Sequence, residues 1–391
     1  MPPIVSILGM EGFDLEDIHG INPMVFKVRY LQAQACIHCG GQNLRLKDTF
    51  YRMVRHESFG TRAVWLYLRT HKYLCQGCGR YFNDRFPGIL PYRRTTQAFR
   101  KEVFRHHYDG VCGKTLSERL SIGEASVERF YRDMLERKLA ELKNNPCPRV
   151  LGIDEHFFTR KDGYATTLCD LAKRRVYDVI PGRSELALER PFNDLLERDK
   201  VKVIVMDLSE TYRVICRKHF PNAKIVADRF HVIRLVNHHF LKAWQSIDPE
   251  GRKNRGLLSL MRRHETALSP EQKKRLFRYF EKIPALWIIW EFKQRLVQLL
   301  LVKRQTKREC RKLLPFYLRY VQELKESPFE AFKTLGKTLE SWGEEIVRMW
   351  RFTKSNGITE GFHNKMELIK RRAYGFRNFE NYRLRVRALC A

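Results

Sequence analysis

Two short apolar runs decide the fold class: VLGIDE at residues 150–155 and VKVIVMD at residues 201–207. Near-continuous runs of this kind are typical of strands that are covered on both faces of a sheet. The first run ends in Asp154 and Glu155, and the second ends in Asp207. Because acids just past buried strands lie at the edge of the core, we expect a mixed sheet that holds these carboxylates rigidly near solvent.

Three further stretches have the composition of strands. Residues 164–170 and 176–180 are candidate strands, and residues 223–227 form another apolar run that ends in Asp228. We expect these stretches to extend the same sheet, since apolar runs of this length suit buried strands.

A third acid comes from the far end of the chain, in SNGITEGFHN at residues 355–364. This stretch is typical of a loop that enters a helix. By three- and four-residue spacings, Glu360 and Asn364 share a polar face, whereas Ile358 and Phe362 fall on an apolar stripe. Glu360 can therefore point into a site while its helix packs, with Asn364 supporting that site.

Two strand-end aspartates and a helical glutamate suit phosphodiester cleavage with two divalent cations. Oxygen ligands favour Mg²⁺ or Mn²⁺, and ions about 4 Å apart can activate the attacking oxygen and stabilise the leaving one. Any one of these acids alone is more often a surface charge or an ion-pair partner. The joint pattern predicts that Asp154, Asp207 and Glu360 are catalytic metal ligands.

The composition indicates a polyanionic partner. The 391 residues include 74 Lys and Arg against 44 Asp and Glu, a formal net charge of +30. Hydrophobic residues make up 43%, which argues against a disordered basic tail and favours nucleic acid over a membrane or a merely solvated surface. No apolar run approaches the roughly 20 residues that span a bilayer, and the N-terminus lacks a signal peptide pattern. We expect no membrane partner.

Ten cysteines indicate metal ligands and reduced thiols, and hence a cytoplasmic protein. Four of them form two pairs, CIHC at residues 36–39 and CQGC at residues 75–78. Two such turns bring four thiolates to about 2.3 Å from one zinc ion, and residues 48–55 and 61–72 between them resemble strands. A redox-active or accidental pair is the alternative. We predict a zinc ribbon with one structural Zn²⁺ on these thiolates: Cys36, Cys39, Cys75 and Cys78.

Helical periodicity after residues 87–94 predicts a helix-turn-helix. Residues 114–120 and 124–139 form two helices around a turn at residues 121–123. The second helix would enter a major groove of DNA. A generic helical hairpin would show the same pattern. The candidate DNA contacts are Ser126, Arg129 and Arg132.

Residues 235 to about 345 have a helical pattern almost throughout, which predicts an all-helical insertion. Six of the ten residues at 303–312 are basic, so this segment is either a solvated face or a surface that follows phosphates. The predicted fold class is multidomain α+β. Its domains are a zinc-ribbon-like domain at 1–92, a helix-turn-helix domain at 93–146, a sheet domain at 147–235, the helical insertion at 236–345, and the second part of the sheet domain with a basic end at 346–391.

Along nearly its whole length the chain resembles the ISL-three group of bacterial insertion-sequence transposases. The resemblance rests on GIDE at residues 152–155, PNAKIVADRFH at residues 221–231 and IKRRAYGFRNF at residues 369–379, together with the paired cysteines and the helix-turn-helix. It implies a DDE-type, RNase H-like catalytic domain, split by a helical insertion, that acts on inverted repeats at element ends. The sequence departs from the family pattern at Ile358, where proline is frequent, and at His363, where asparagine is common.

The resemblance also implies roles for particular residues. Asp154, Asp207 and Glu360 occupy the family's three catalytic positions. Asp228 and His231 match its Asp-x-x-His element, which implies support of the site rather than direct metal ligation. We also expect DNA contacts from the basic residues of the last matching stretch: Lys370, Arg371, Arg372 and Arg377.

The resulting hypothesis is a DNA transposase that binds terminal inverted repeats and catalyses metal-dependent cleavage and strand transfer. By analogy, Asp154 bridges two ions while Asp207 and Glu360 each hold one. The partners would be double-stranded DNA of the element ends and the target, with a homodimer or larger synaptic complex, at the nucleoid of a bacterial cytoplasm. Two alternatives stand beside it: a domesticated transposase or DNA-binding regulator without catalysis, and an RNase H-like nuclease that acts on structured nucleic acid.

Overall fold

The computed structural model describes residues 8–140, 146–354, 356–373 and 375–390. The chain divides into two compact units, Met1–Glu141 and Leu142–Ala391, which we call the first and the second unit. The proline-containing stretch at residues 143–149 falls next to this boundary, and its first three residues lie outside the described ranges. The division into five domains stays a prediction.

The first unit contains a five-stranded sheet. Its order is β1-β2-β4-β3, with β5 also pairing with β4; β2 and β4 run parallel, and the other neighbours are antiparallel. Alternate side chains of the long β3–β4 hairpin, such as Val54 and Leu66, are fully buried. The hairpin extends well beyond the predicted strands at 48–55 and 61–72. The strands are β1 Phe13–His19, β2 Met24–Tyr30, β3 Leu44–Phe59, β4 Arg62–Cys75 and β5 Tyr81–Asn83.

Three helices follow in the first unit: α1 Gln97–Tyr108, α2 Gly113–Leu120 and α3 Glu124–Ala140. The Thr96 side chain accepts a hydrogen bond from the backbone N–H of Phe99 and so caps α1. The α2–α3 turn lies where the periodicity predicts it, and its first residue, Ser121, has a left-handed φ of 51°. The helix-turn-helix assignment itself stays a prediction.

The second unit is built on a mixed sheet of order β10-β9-β6-β7-β8. Strands β6, β7 and β8 form an antiparallel meander, whereas β9 runs parallel to β6 and β10 parallel to β9. The central strands are buried on both faces, as their apolar sequences predict. The strands are β6 Val150–Thr159, β7 Gly163–Asp170, β8 Arg175–Pro181, β9 Val203–Met206 and β10 Lys224–Ala227.

One expectation about this sheet is wrong. Asp154 does not follow the end of its strand, because β6 continues to Thr159 as a hairpin with β7 and pairs Asp154 with Thr167. The parallel pairing of β6 with β9, however, ends at Ile153 and Met206. Asp154 and Asp207 are therefore each the first residue beyond that pairing, and the two acids still leave the core at the same edge.

The rest of the second unit is helical. Helix α4 Glu185–Asn193 precedes β9 in the chain, and α5 Glu210–His219 follows it. The helical region that was expected from residue 235 begins at Arg229. No described helix is long and apolar enough to cross a membrane. The remaining helices are α6 Arg229–Ile247, α7 Pro249–Lys253, α8 Arg255–Arg262, α9 Pro270–Lys282, α10 Pro284–Leu301, α11 Lys307–Glu326, α12 Glu330–Ser341, α13 Gly343–Arg351, α14 Gly357–Arg372 and α15 Phe379–Leu389.

Candidate active site and zinc centre

Two aspartates and a histidine meet at the ends of β9 and β10. Asp207 directly follows β9, Asp228 directly follows β10, and His231 lies in the first turn of α6. The Nδ1 of His231 is 2.7 Å from Oδ1 of Asp207 and 2.9 Å from Oδ2 of Asp228. The parallel strands β9 and β10 thus bring Asp207 beside the Asp-x-x-His element.

A single proton on Nδ1 of His231 cannot serve both carboxylates. The ring donates its hydrogen bond to Asp228 and faces the buried Oδ1 of Asp207 as an ion-pair partner, and among the described residues no other group donates to that oxygen. Burial opposes the charge of His231, but the hydrogen bonds and negative charges of the two aspartates raise its pKa to about 10. The protonated ring therefore supplies positive charge that this acidic edge requires.

Asp154 is buried beside this group, with 8% of its surface exposed. Burial, and next the charge of Asp207, raise the pKa of Asp154 to about 7, although the backbone N–H of Glu155 donates to Oδ1 of Asp154 at 2.9 Å. The charge of Asp207 therefore opposes the ionisation of Asp154, whose carboxyl group is largely withdrawn from water. A cation placed between them would remove that opposition.

The start of α14 packs against the same edge of the sheet. The buried Asn356 donates its backbone N–H to Oδ1 of Asp228 at 3.1 Å, and its Nδ2 donates to the carbonyl of Ile153 at 2.9 Å. A Cβ atom on Gly152 would lie 2.8 Å from Oδ1 of Asn356 and 2.8 Å from Cδ2 of Leu171. A side chain at position 152 would therefore displace Asn356 and Leu171, which accounts for the glycine of the GIDE motif.

Glu360 lies on the first turn of α14 and is exposed. It is four residues after Asn356 and three before His363, so it shares their face of the helix. His363 also contacts the sheet, since its Nε2 is 3.2 Å from Oγ1 of Thr167, the strand partner of Asp154. The Glu360 side chain itself is exposed to solvent at the rim of this site.

The described residues contain a group of acids and histidines whose ligand atoms all lie within 4.8 Å of one another: Asp207, Asp228 and His231. Asp154 and Glu360 do not belong to that group. The structure thus places Asp154 and Asp207 at one edge and does not bring the Glu360 carboxylate to them.

The four paired cysteines also converge. Their sulfurs lie within 4.8 Å of one another, with 3.6 Å between Sγ of Cys36 and Cys78 and 3.6 Å between Sγ of Cys39 and Cys75. Four thiolates about 2.3 Å from a tetrahedral zinc ion would be separated by roughly 3.8 Å. Both turns are closed by backbone hydrogen bonds, from Gly40 N–H to the Cys36 carbonyl and from Gly79 N–H to the Cys75 carbonyl. The donor set and its spacing suit one zinc ion.

Comparison with known proteins agrees with this geometry. A sequence model of DDE-type ISL3 transposases, described as a transposase, matches residues 151–386. The chain belongs to this transposase family. A second model, the zinc finger of transposases IS204, IS1001, IS1096 and IS1165, matches residues 32–78 of this ISL3-family chain, which include all four cysteines. Family membership indicates an enzyme of transposition and suggests a divalent metal; the zinc ribbon suggests DNA binding.

A curated relative of the ISL3-family chain covers nearly all of it. The transposase for insertion sequence element IS1001 of Bordetella parapertussis is 22% identical over 403 aligned residues, which span 98% of this chain and 96% of that protein. An ATP-dependent protease of Lactococcus lactis subsp. lactis is 35% identical over only 57 residues, 15% of this chain and 18% of the protease. That short match says nothing about the whole chain.

An open cleft of about 760 Å³ adjoins the acids of this ISL3-family chain. Four residues of α6 line it: His231, Arg234, Leu235 and His238. Arg183 lies on the opposite wall, where it donates to both oxygens of Glu155 at 3.0 and 2.9 Å. Sequence reasoning missed Arg234, although its position three residues after His231 on a helix was the available signal.

The predicted DNA contacts of α3 lie on its surface. Arg129 donates from Nη2 to Oγ of Ser126 at 3.0 Å, and Arg132 forms an ion pair with Glu136 at 2.9 Å. These bonds stay within one helix and involve exposed groups, so DNA can displace them at small cost.

The basic residues of the last matching stretch divide into two kinds. Lys370 donates from Nζ to the carbonyl of Phe157 at 2.7 Å and to that of Phe158 at 3.2 Å, and it forms an ion pair with Glu367. Its ammonium therefore joins α14 to β6, and fewer of its hydrogen-bond donors remain for the predicted DNA contact. The other three predicted DNA contacts of this stretch are exposed: Arg371, Arg372 and Arg377. Asn364, which was predicted to support the site, is exposed as well.

Proposed function

We propose that the chain is a catalytically competent DNA transposase that binds terminal inverted repeats and performs metal-dependent DNA cleavage and strand transfer. The observation that carries the proposal is the acidic edge of the sheet. Three carboxylates, those of Asp154, Asp207 and Asp228, gather around the single protonated ring of His231, and Asp154 is buried with a raised pKa. A site that holds more negative charge than one imidazolium neutralises suits a divalent cation.

We assign the second unit to an RNase H-like catalytic domain. Support comes from the mixed sheet with acids at one edge and from the helices α6–α13, which lie in sequence between β10 and the helix that carries Glu360. This order corresponds to the split domain that the family resemblance implies.

The residues present fit divalent metal ions. Carboxylate oxygens are hard ligands that suit Mg²⁺ or Mn²⁺. Asp154, Asp207 and Glu360 would hold two ions, with Glu360 turning inward from its exposed position. When bound, the ions supply charge that stabilises the attacking and leaving oxygens of phosphodiester cleavage.

Other residues position these ligands. Asp228 accepts hydrogen bonds from His231 and from the backbone N–H of Asn356, so it ties α6 and α14 to the same edge of the sheet. On the cleft walls, Arg183 and Arg234 provide positive charge for the phosphates that flank the scissile one. We further propose that α3 and the basic C-terminal residues contact the duplex outside the cleft.

A cleavage and strand-transfer assay on inverted-repeat DNA tests the catalytic assignment. We expect Asp154→Asn, Asp207→Asn and Glu360→Gln each to lower cleavage by about 10²-fold or more, because each removes a carboxylate that would hold the ions that stabilise the transition state. DNA binding, measured separately, should persist. Matched controls are Asp199→Asn and Glu367→Gln, which remove exposed or partly exposed carboxylates away from the acid cluster.

Survival of full activity in any of the three variants would remove that residue from the assignment. A wild-type protein that binds the repeats in Mg²⁺ or Mn²⁺ without cleaving them would instead favour the regulator. Preferential cleavage of structured RNA would favour the nuclease.

A further inference from the structure

A second groove, in the first unit, lies outside the catalytic edge and has a different composition. It encloses about 940 Å³ between the β3–β4 hairpin, β5 and the segment at residues 84–94. We call it the aromatic groove, because its lining includes the partly or largely exposed rings of Tyr51, Trp65, Tyr81 and Tyr92. Exposed aromatic surface concentrated in one concavity is a common sign of a binding site.

Tyr92 has the most unusual setting of these residues. It is 88% exposed, and its φ of 58° is a left-handed conformation that L-residues other than glycine rarely adopt. The turn around it is fixed, since Arg52 donates from Nη2 to the carbonyl of Arg93 at 2.9 Å and Arg93 N–H donates to the carbonyl of Leu90 at 3.2 Å. The fold therefore holds a large ring in solvent at a backbone cost, which is characteristic of functional positions.

Flat ring faces recur along the hairpin next to Tyr92. The rings of Tyr51 and Tyr67 stack with their centroids 4.4 Å apart and an interplanar angle of 6°, and both residues are partly exposed. The ammonium of Lys72 lies 5.4 Å from the centre of the Tyr81 ring. Aromatic rings and cations are thus neighbours on this surface.

The charge of the aromatic groove is positive and uncompensated. Arg52 and Arg94 both line it, and in the described part of the chain neither forms an ion pair with a carboxylate. Burial, and next the nearby charge of Arg94, lower the pKa of Arg52. The acid in the lining, Asp84, is 7% exposed and already accepts bonds from the backbone N–H and Nδ1 of His71. An anion would relieve the repulsion between the two guanidinium groups.

We propose that the aromatic groove binds an unpaired strand of DNA, with bases stacked on Tyr92 and Tyr51 and phosphates near Arg52 and Arg94. A base within a duplex is stacked on its neighbours and offers only its edge, so exposed tyrosine faces suit bases that have left the stack. A surface that offers both aromatic faces and arginines suits the bases and phosphates of an unpaired strand, whereas an acidic peptide would use only the arginines. This site goes beyond the proposed recognition of duplex repeats and does not depend on the catalytic acids.

The test is fluorescence anisotropy of the full-length protein with a labelled oligothymidylate and with a labelled hairpin duplex, at one salt concentration. We expect Tyr92→Ala to weaken oligothymidylate binding by about tenfold, within the range for loss of one base–aromatic stack. Tyr92→Phe, which keeps the ring, should bind like the wild type. Phe59→Ala removes an exposed ring of the same hairpin outside the groove and should change nothing. Duplex binding should be nearly unaffected by all three changes.

A double variant that carries both Arg52→Gln and Arg94→Gln should weaken oligothymidylate binding. When its binding is measured over a series of salt concentrations, the salt dependence should also be lower than that of the wild type, because fewer phosphates are neutralised. Circular dichroism and zinc content establish that each variant folds. The proposal is overturned if Tyr92→Ala binds oligothymidylate as Phe59→Ala does, or if it loses single-stranded and duplex binding equally. Competition by polyglutamate as effective as that by oligothymidylate would also overturn it, since it would show an unspecific anion site.

Discussion

Replacing Asp154 with asparagine measures how much its buried carboxylate lowers the free energy of unfolding. Burial and the charge of Asp207 raise the pKa of Asp154 from 3.8 to about 7. A carboxyl group that binds its proton more tightly when folded than when unfolded destabilises the folded state as pH rises through this interval, and the full cost persists above it. Asparagine resembles the protonated acid and cannot ionise, so the variant escapes that cost.

The size of the effect follows from the shift. About three pH units, at about 1.4 kcal/mol each, correspond to at most about 4 kcal/mol at pH 8.5. At pH 4.5 the same linkage leaves only about 1 kcal/mol. In magnesium-free buffer, Asp154→Asn should therefore be more stable than the wild type by up to about 4 kcal/mol at pH 8.5 and by only about 1 kcal/mol at pH 4.5. Added Mg²⁺ should reverse the order, because only the wild type keeps the ligand.

Urea unfolding followed by tryptophan fluorescence measures this difference, since five of the six tryptophans lie in the second unit. Asp199→Asn, a change of the same kind at an exposed position, should alter stability by less than about 0.5 kcal/mol. An equal gain at both pH values, or no gain at pH 8.5, would refute the reasoning that the Asp154 charge is what destabilises the metal-free site.

Three other outcomes are expected. Cys36→Ser should contain about one zinc ion fewer per chain by elemental analysis, whereas Cys112→Ser should keep the wild-type content; equal zinc in both would reject the site. Asn356→Ala removes the bond to the Ile153 carbonyl and should cost about 1–3 kcal/mol in urea unfolding, against less than about 0.5 kcal/mol for the exposed Asn364→Ala. Arg234→Gln should lower cleavage about tenfold by removing a charged contact to phosphate, with Arg278→Gln as the control; matching losses in the two variants would indicate a general charge effect.

Local patterns were sufficient for some parts of this molecule. The zinc centre was predictable because each C-x-x-C turn is determined by four consecutive residues. The central strands were predictable because burial on both faces leaves an apolar run in the sequence. The family assignment was likewise carried by short motifs, and the matching sequence model confirms it.

Other parts of the fold could not be predicted from local patterns, because their strands are irregular. Strands β1 and β2 were not predicted, and the register between them shifts at Leu15 and Asp17, which breaks the alternation that marks a strand. At Asp154 the acidic pair Asp154-Glu155 looked like the end of a strand. The strand continues because its partner β7 extends past the point where β9 stops.

The sequence by itself determined which residues are candidates for the chemistry: the three acids, the Asp-x-x-His element and the four cysteines. Only the tertiary structure decided how they meet. It placed His231 between Asp207 and Asp228, left the Glu360 carboxylate at the rim, and brought Arg234 into the cleft. The physical reason is that such contacts depend on packing between remote segments; the bond from Asn356 to the Ile153 carbonyl spans 203 positions, and no local spacing encodes it.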